Sequence, residues 1–262
     1  MRKRIDIKLK NKIIKLKRRG LHISDISKEL GISDRTVNKY SKNVPHPYRK
    51  SLIKLSKFSK KFSLEKAEIL GYLCSEGNDN AYFDRGIWFD KRRGKYYRRN
   101  DYKESIDFSN MNNVIQNRFI YLMKFVYKYP LKVFKNGSFH IKRKETFKDL
   151  KSYSSFGARK WQVPKILFLK NYKNHALRFL RAYCDGDGTV TGSSVRIDSV
   201  NPISLKKLNI LLNKLGFKSS YNSYPSRNRI TIRDIKKYQK FIGFLHPEKK
   251  EKLERIVIKF DI

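Results

Sequence analysis

Two stretches of this chain carry one pattern written twice, about 110 residues apart: Ile69-Leu70-Gly71-Tyr72-Leu73-Cys74-Ser75-Glu76-Gly77 and Leu180-Arg181-Ala182-Tyr183-Cys184-Asp185-Gly186-Asp187-Gly188. Each is an apolar, helix-like run with a small residue inside it, Gly71 in one and Ala182 in the other. Each ends in an acid followed by glycine. Small residues at that place let two helix backbones approach closely. If the two helices pack side by side in the same sense, Glu76 and Asp187 emerge together at their C-terminal ends. Gly77 and Gly188 then let the chain turn sharply into the following strands.

Two neighbouring carboxylates at the negative ends of two helix dipoles are unfavourable unless a cation resolves them. The expected ligand set is Glu76 and Asp187, with the adjacent backbone of Gly77 and Gly188, around a hard ion such as Mg²⁺ (or Mn²⁺). One such motif alone would read as an ordinary exposed helix end. The run Asp185-Gly186-Asp187-Gly188 is also like the start of a calcium loop, but it lacks the later ligands and the closing Glu of an EF-hand.

The charge narrows the partner. The 262 residues include 62 Lys plus Arg against 23 Asp plus Glu, a net charge of +39. A chain this basic repels itself and works against a polyanion. An anionic membrane is disfavoured: no apolar run reaches the roughly 18 to 20 residues of a spanning helix. Met1-Arg2-Lys3-Arg4 is followed by charged sequence rather than a signal peptide. The two cysteines, one per motif, form neither a disulfide framework nor a zinc site, so the expected setting is intracellular.

Along the chain, residues 1–45 read as three short helices: Lys8 to Arg19, Asp25 to Leu30 with Ser24 as N-cap, and Asp34 to Tyr40 with Ser33 as N-cap. Ile23 to Tyr40 resembles the helix-turn-helix of resolvase-like and repressor-like DNA-binding domains. That resemblance implies a third helix presenting Arg35, Thr36, Asn38 and Lys39 to the major groove. Residues 46–61 read as a basic linker. From residue 62 the order helix, two strands, helix, two strands, helix occurs twice, over about 62–160 and 172–262. In the first repeat the strands are expected near Tyr82 to Asp90, Tyr102 to Ser109, Leu131 to Phe134 and Ser138 to Lys142. In the second, Asn174 is the expected cap of a helix running to about Cys184.

With both motifs in place, residues 62–260 resemble the LAGLIDADG homing endonucleases in their single-chain, two-motif form. Residues 69–77 and 180–188 carry the likeness, supported by Asn201 to Phe217 and by Phe241-Ile242-Gly243-Phe244 with Lys249 and Lys250. The first motif has Cys74-Ser75 where an Asp-Ala pair is common, and Ala182 stands for a glycine. The resemblance implies an α+β chain: an N-terminal three-helix helix-turn-helix, then two pseudo-symmetric αββαββα LAGLIDADG-like repeats forming a DNA-binding saddle. It implies catalytic acids Glu76 and Asp187, with Asp185, Lys142 and Arg233 as auxiliary candidates. Arg92, Arg93, Arg98 and Arg99, between the first two strands, and Arg227 and Arg229 in the second repeat would touch phosphates.

The implied activity is metal-dependent, site-specific double-strand cleavage of a long asymmetric duplex DNA target by a monomer, as in intron homing. An intein-embedded origin is disfavoured, because Met1 opens the chain without a splice-junction nucleophile. Two rivals share the fold: a transcriptional regulator that has lost cleavage, and an RNA-splicing maturase.

Overall fold

Ile13, Leu16, Ile26 and Val37 close a small core of their own in the computed structural model. They come from α1 (Ile7–Arg18), α2 (Ile23–Leu30) and α3 (Asp34–Ser41). The structure describes residues 6–18, 21, 23–42, 44, 55–90, 94–131, 133–134 and 136–259, with the backbone alone at 82–85, 88, 90 and 97–102. The chain divides into two units, 1–55 and 56–262; residues 46–54 of the expected linker lie outside the described residues.

In the first unit Ser33 caps α3 as expected: the Thr36 amide donates to its Oγ at 3.3 Å. Gly31, at φ +62°, makes the turn before it. Ser24 does not cap α2. Ile23 packs beside Ile26 and Leu30 on the core, and that apolar contact draws the helix start back past Ser24.

The second unit is built around two helices, α5 (Leu64–Glu76) and α8 (Lys173–Asp187), packed along their lengths. A short α4 (Lys57–Lys60) precedes them. Residues Lys66 to Cys74 are all buried, the signature of a helix enclosed on every side rather than lying on a surface. α5 is capped by Ser63 and runs directly into β1 (Gly77–Asp90), which forms a long hairpin with β2 (Lys95–Ser109). α6 (Asn113–Tyr127), β3 (Ser138–Ile141) and α7 (Lys144–Lys151) complete the first repeat, with sheet order β1-β2-β3. Phe108 stacks on Phe119 at 4.1 Å between centroids, and Tyr72 and Phe139 close the core around them.

Two expectations for this repeat change. The strand at 131–134 is not formed among its described residues; the chain instead makes a tight turn, with Phe134 N donating to Ser138 O at 3.0 Å. Arg98 and Arg99 are not in a loop but within β2, opposite Ile87 and Gly86. Gly94, at φ +59°, closes the hairpin, so ladder pairing satisfies the backbone well beyond the apolar part of the strands.

The second repeat follows the expected order: α8, β4 (Gly188–Thr191), β5 (Ser194–Ser199), α9 (Pro202–Lys214), β6 (Ser219–Ser223), β7 (Asn228–Ile232), α10 (Ile235–Phe241) and the closing helix α11 (Pro247–Lys259). Its sheet order is β4-β5-β7-β6. Asn174 is not the cap of α8. Two 3-10 turns over 165–172 lead straight into the helix, which puts Asn174 inside its first turn. The segment between the repeats is held by Trp161, which is 1% exposed and stacks near Tyr183. Its carbonyl accepts from Asn201 Nδ2 and Ser204 Oγ at the start of α9.

Candidate active site

The two motif helices meet at glycines. A Cβ on Gly71 would fall 2.8 Å from Ala182 Cβ, 3.1 Å from the Tyr183 nitrogen, and against the Phe179 carbonyl oxygen. A Cβ on Gly186 would fall 2.7 Å from Ser75 Cβ and 3.0 Å from Glu76 Cγ. In the motif alignment Gly71 corresponds to Ala182 and Ser75 to Gly186. Each crossing level therefore has one glycine and one small side chain, with the roles exchanged between levels. This reciprocal packing brings the end of α5, with Glu76, against the end of α8, with Asp187.

Both acids carry the mark of that convergence. Burial raises the Asp187 pKa to about 7, helped by the charge of Glu76 and opposed by the Tyr183 hydroxyl and Lys249. Burial also raises Glu76, and Lys249 again opposes it. Gly77 and Gly188 sit at φ −90° and −76°, so neither supplies a left-handed turn. Glycine is required there because a Cβ would collide with the backbone of Leu73 or Cys184, and their amides donate to those same carbonyls.

Lys249 is the residue that sequence reasoning left without a role. From the first turn of α11 its Nζ reaches the carbonyls of Cys184 at 3.3 Å, Asp185 at 2.6 Å and Gly186 at 2.7 Å. It thereby satisfies the last turn of α8, which is why that helix runs on to Asp187 instead of ending near Cys184. Burial lowers its pKa, while Cys184, Asp185, Asp187 and Glu76 raise it. A signal was present: a lysine in a helical first turn opposes the dipole, and such a placement calls for an acidic partner elsewhere.

The auxiliary candidates fall differently. Asp185 is 1% exposed and its Oδ1 accepts from the amides of Leu245 at 2.8 Å and His246 at 3.0 Å, with Tyr72 Oη at 3.4 Å from Oδ2. It clasps the loop before α11 and does not join the acidic pair. Its pKa, raised to about 6, reflects burial opposed by those amides. Lys142 and Arg233 are exposed residues just past β3 and β7; the cation acting on both acids is Lys249.

The donor set suits a hard divalent cation. Two carboxylates meet, and among the described residues no cluster of three His, Cys, Asp or Glu side chains adds further ligands. The remaining coordination would fall to water and phosphate oxygens, the habit of Mg²⁺ rather than of a closed zinc site.

The outer face of the second sheet is polar, whereas the described outer side chains at the tip of the β1–β2 hairpin include exposed Ile87, Phe89 and Tyr96. In the second sheet, Arg196 pairs across from Thr189 and Thr231, and Asp198 from Arg229, while Val190, Val195, Ile197, Ile230 and Ile232 point to the core. A groove of about 760 Å³ runs over this face, lined by Arg196, Asn222, Tyr224, Arg229, Thr231 and Arg233. Arg229 is committed to Asp198 by two bonds of 2.8 and 3.0 Å, so it is less free for a phosphate than Arg227, which is exposed. Arg196, not singled out in the sequence, has a buried Nε without a partner. On α3, Arg35, Asn38 and Lys39 are exposed, whereas the Thr36 hydroxyl bonds Ser33 Oγ at 2.9 Å. Arg92 and Arg93 lie outside the described residues, and Arg98 and Arg99 are described by backbone alone.

Residues 174–243 match the LAGLIDADG-like domain family. Among solved structures, the chain is similar to I-DmoI in complex with DNA and Mn, with a TM-score of 0.53 at 16% identity over 68% of this chain and 96% of that one. It is similar also to the homing endonuclease I-WcaI bound to its DNA recognition sequence, with a TM-score of 0.50 at 15% identity over 79% and 91%. At these identities the likeness is one of fold. Among curated proteins, 109 residues are 33% identical to the probable translation initiation factor IF-2 of Thermococcus kodakarensis, 39% of this chain but 9% of that protein. A further 34% identity over 83 residues, 31% of this chain, links it to elongation factor 2 of Methanopyrus kandleri. The chain spans only 9% and 7% of these two relatives.

Proposed function

We propose that this protein, whose second repeat matches the LAGLIDADG-like domain family and whose fold is that of the single-chain homing endonucleases, is a site-specific endonuclease of duplex DNA. The observation that carries this reading is the meeting of Glu76 and Asp187 at the Ser75–Gly186 crossing, in a chain of net charge +39. A protein that only binds DNA gains nothing from two acids turned toward phosphates.

Glu76 and Asp187 would hold a divalent cation, Mg²⁺ or Mn²⁺. When bound, such an ion activates water and stabilises the leaving oxygen of a phosphodiester displacement. Lys249 balances the negative charge of the pair and keeps the end of α8 in register with that of α5. The two sheets receive the duplex, with Arg196, Arg227 and Arg233 as phosphate or base contacts in the second repeat. The repeats differ in sequence, so one monomer reads a long asymmetric site. Arg35, Asn38 and Lys39 extend the contact through the helix-turn-helix, which spans residues 1–45 in front of the endonuclease domain at 62–262.

The helix-turn-helix also favours a second reading, a regulator that binds without cleaving. One experiment separates them. Sheared genomic or random duplex DNA is selected by binding in Ca²⁺, the ion is exchanged for Mg²⁺, and new ends are sequenced. Breaks at one recurring sequence, absent with Glu76→Gln/Asp187→Asn, establish the endonuclease. A selected motif that stays intact in Mg²⁺ and Mn²⁺ overturns it in favour of the regulator.

A further inference from the structure

Glu68, on α5, is 1% exposed, and three guanidiniums converge on it. Arg118 takes both of its oxygens, through Nε and Nη2 at 2.7 Å each. Arg178 Nη1 stands at 3.4 Å and Arg181 Nη2 at 3.9 Å. One carboxylate thus faces three cations, and the bidentate fork of Arg118 already answers its charge. The Nε and Nη2 atoms of Arg181 are buried without a hydrogen-bond partner. Burial accordingly holds that guanidinium below its ordinary pKa.

Arg178 and Arg181 open on a pocket of about 340 Å³ that also contains Asn174 and an apolar rim of Leu64, Leu177 and Phe241. No acid lines it. Leu64 is the first residue of α5, so the positive end of that helix adds to the field. Arg181 and Arg178 precede Asp187 by six and nine residues, roughly 9 and 14 Å along α8 at ~1.5 Å per residue. The pocket is therefore separate from the acidic pair.

We propose that this pocket binds one phosphate-type oxyanion between Arg178 and Arg181, with the Asn174 amide donating from the rim. Its volume of about 340 Å³ admits a single tetrahedral group, and the two guanidiniums, not the volume, select an oxyanion. That group is either a free oxyanion or one phosphate of a nucleic acid. The assignment is independent of whether the protein cleaves DNA.

The test is a calorimetric titration of the full chain with inorganic phosphate at fixed ionic strength. One saturable site is expected. Arg178→Gln/Arg181→Gln should weaken it at least about tenfold, while Lys252→Gln/Lys259→Gln, which removes equal charge from exposed positions on α11, should leave it unchanged. Leu177→Glu keeps both arginines but places a carboxylate at the rim, and should abolish the site without loss of folding. Binding that does not saturate, that falls equally in the surface control, or that survives Leu177→Glu overturns the proposal and marks an adventitious ion only. Repeating the titration with saturating duplex separates the sources: heat retained identifies a free oxyanion, and heat lost identifies a nucleic-acid phosphate.

Discussion

Gly186 of α8 lies so close to Ser75 of α5 that a Cβ on the glycine would stand 2.7 Å from the serine Cβ. One level along, Gly71 stands in the same relation to Ala182, where the corresponding distance is 2.8 Å. The crossing of the two helices, and with it the meeting of Glu76 and Asp187, depends on one missing side chain per level.

Gly186→Ala should therefore cost about 1–3 kcal/mol of unfolding free energy by overpacking. Its obstacles are side-chain atoms of Ser75 and Glu76, so Ser75→Gly in the same chain should recover most of the loss. Gly71→Ala also meets the Phe179 carbonyl, and Ala182→Gly should rescue it only in part. Urea denaturation of the four single and double variants reads the difference; full rescue at both levels would contradict the packing described.

Glu76→Gln or Asp187→Asn should reduce cleavage in Mg²⁺ by at least about a thousandfold, since each removes a charged ligand from a two-carboxylate site. Binding of the selected duplex should stay within about tenfold, because relief of like-charge repulsion offsets the lost cation contact. Gel-shift titration and single-turnover cleavage on the same duplex give both numbers. Full cleavage by either variant removes the site assignment.

The raised acids set a pH dependence. Asp187 titrates at about 7 and Asp185 at about 6 in the folded chain, against 3.8 as the ordinary value. Between those limits each of these two acids binds more protons in the folded than in the unfolded state, while His175 and His246, lowered by burial, act in the opposite sense toward pH 7. The contribution of the two acids to metal-free stability should accordingly fall as pH rises from about 4 to about 7, with a slope no steeper than about 1.4 kcal/mol per pH unit per group. Divalent ions bind the ionised form, so below pH 7 their affinity should drop as pH falls and binding should release protons. Denaturation across this range with and without Mg²⁺ checks both signs.

Lys249→Met should cost about 1–3 kcal/mol, because three last-turn carbonyls of α8 lose a charged donor. It should also move the acidic limb of the pH–rate profile upward, since Lys249 lowers the pKa of both Glu76 and Asp187. A variant that loses stability with an unchanged profile would make Lys249 a helix cap and nothing more.

On duplex DNA, ten neutralised phosphates would give a log–log salt slope of about −9. Arg196→Gln/Arg227→Gln should make it shallower by about 1 to 2. Arg35→Ala or Asn38→Ala should instead relax preference at particular base pairs, by about 1–3 kcal/mol each. Nitrocellulose binding at several salt concentrations distinguishes the two classes of contact.

Much of this was legible in local sequence. The two motifs announce paired helices, and Ser33 announces the cap of α3. The alternation Val195, Ile197 and Ile230, Ile232 announces strands with one face buried. The local signals that misled were polar ones. Ser24 and Asn174 are good capping residues placed inside helices, because apolar packing in one case and preceding 3-10 turns in the other moved the boundary. The charged run near Arg98 and Arg99 resembled a loop, yet a hairpin can carry charged residues through a ladder once Gly94 closes it.

By itself, then, the sequence determined the two-unit order, the doubled repeat and the two acids, because periodicity, composition and an unusual motif act over a few residues. Only the tertiary structure decided the rest. It showed Asp185 turned away to clasp the amides of Leu245 and His246, Lys249 brought 63 residues along the chain to Gly186 in the last turn of α8, and Arg229 taken by Asp198. It also showed Glu68 gathering arginines from α6 and α8. Each depends on which charges face one another across separate elements. That is fixed by how the apolar faces dock, and no local pattern encodes it.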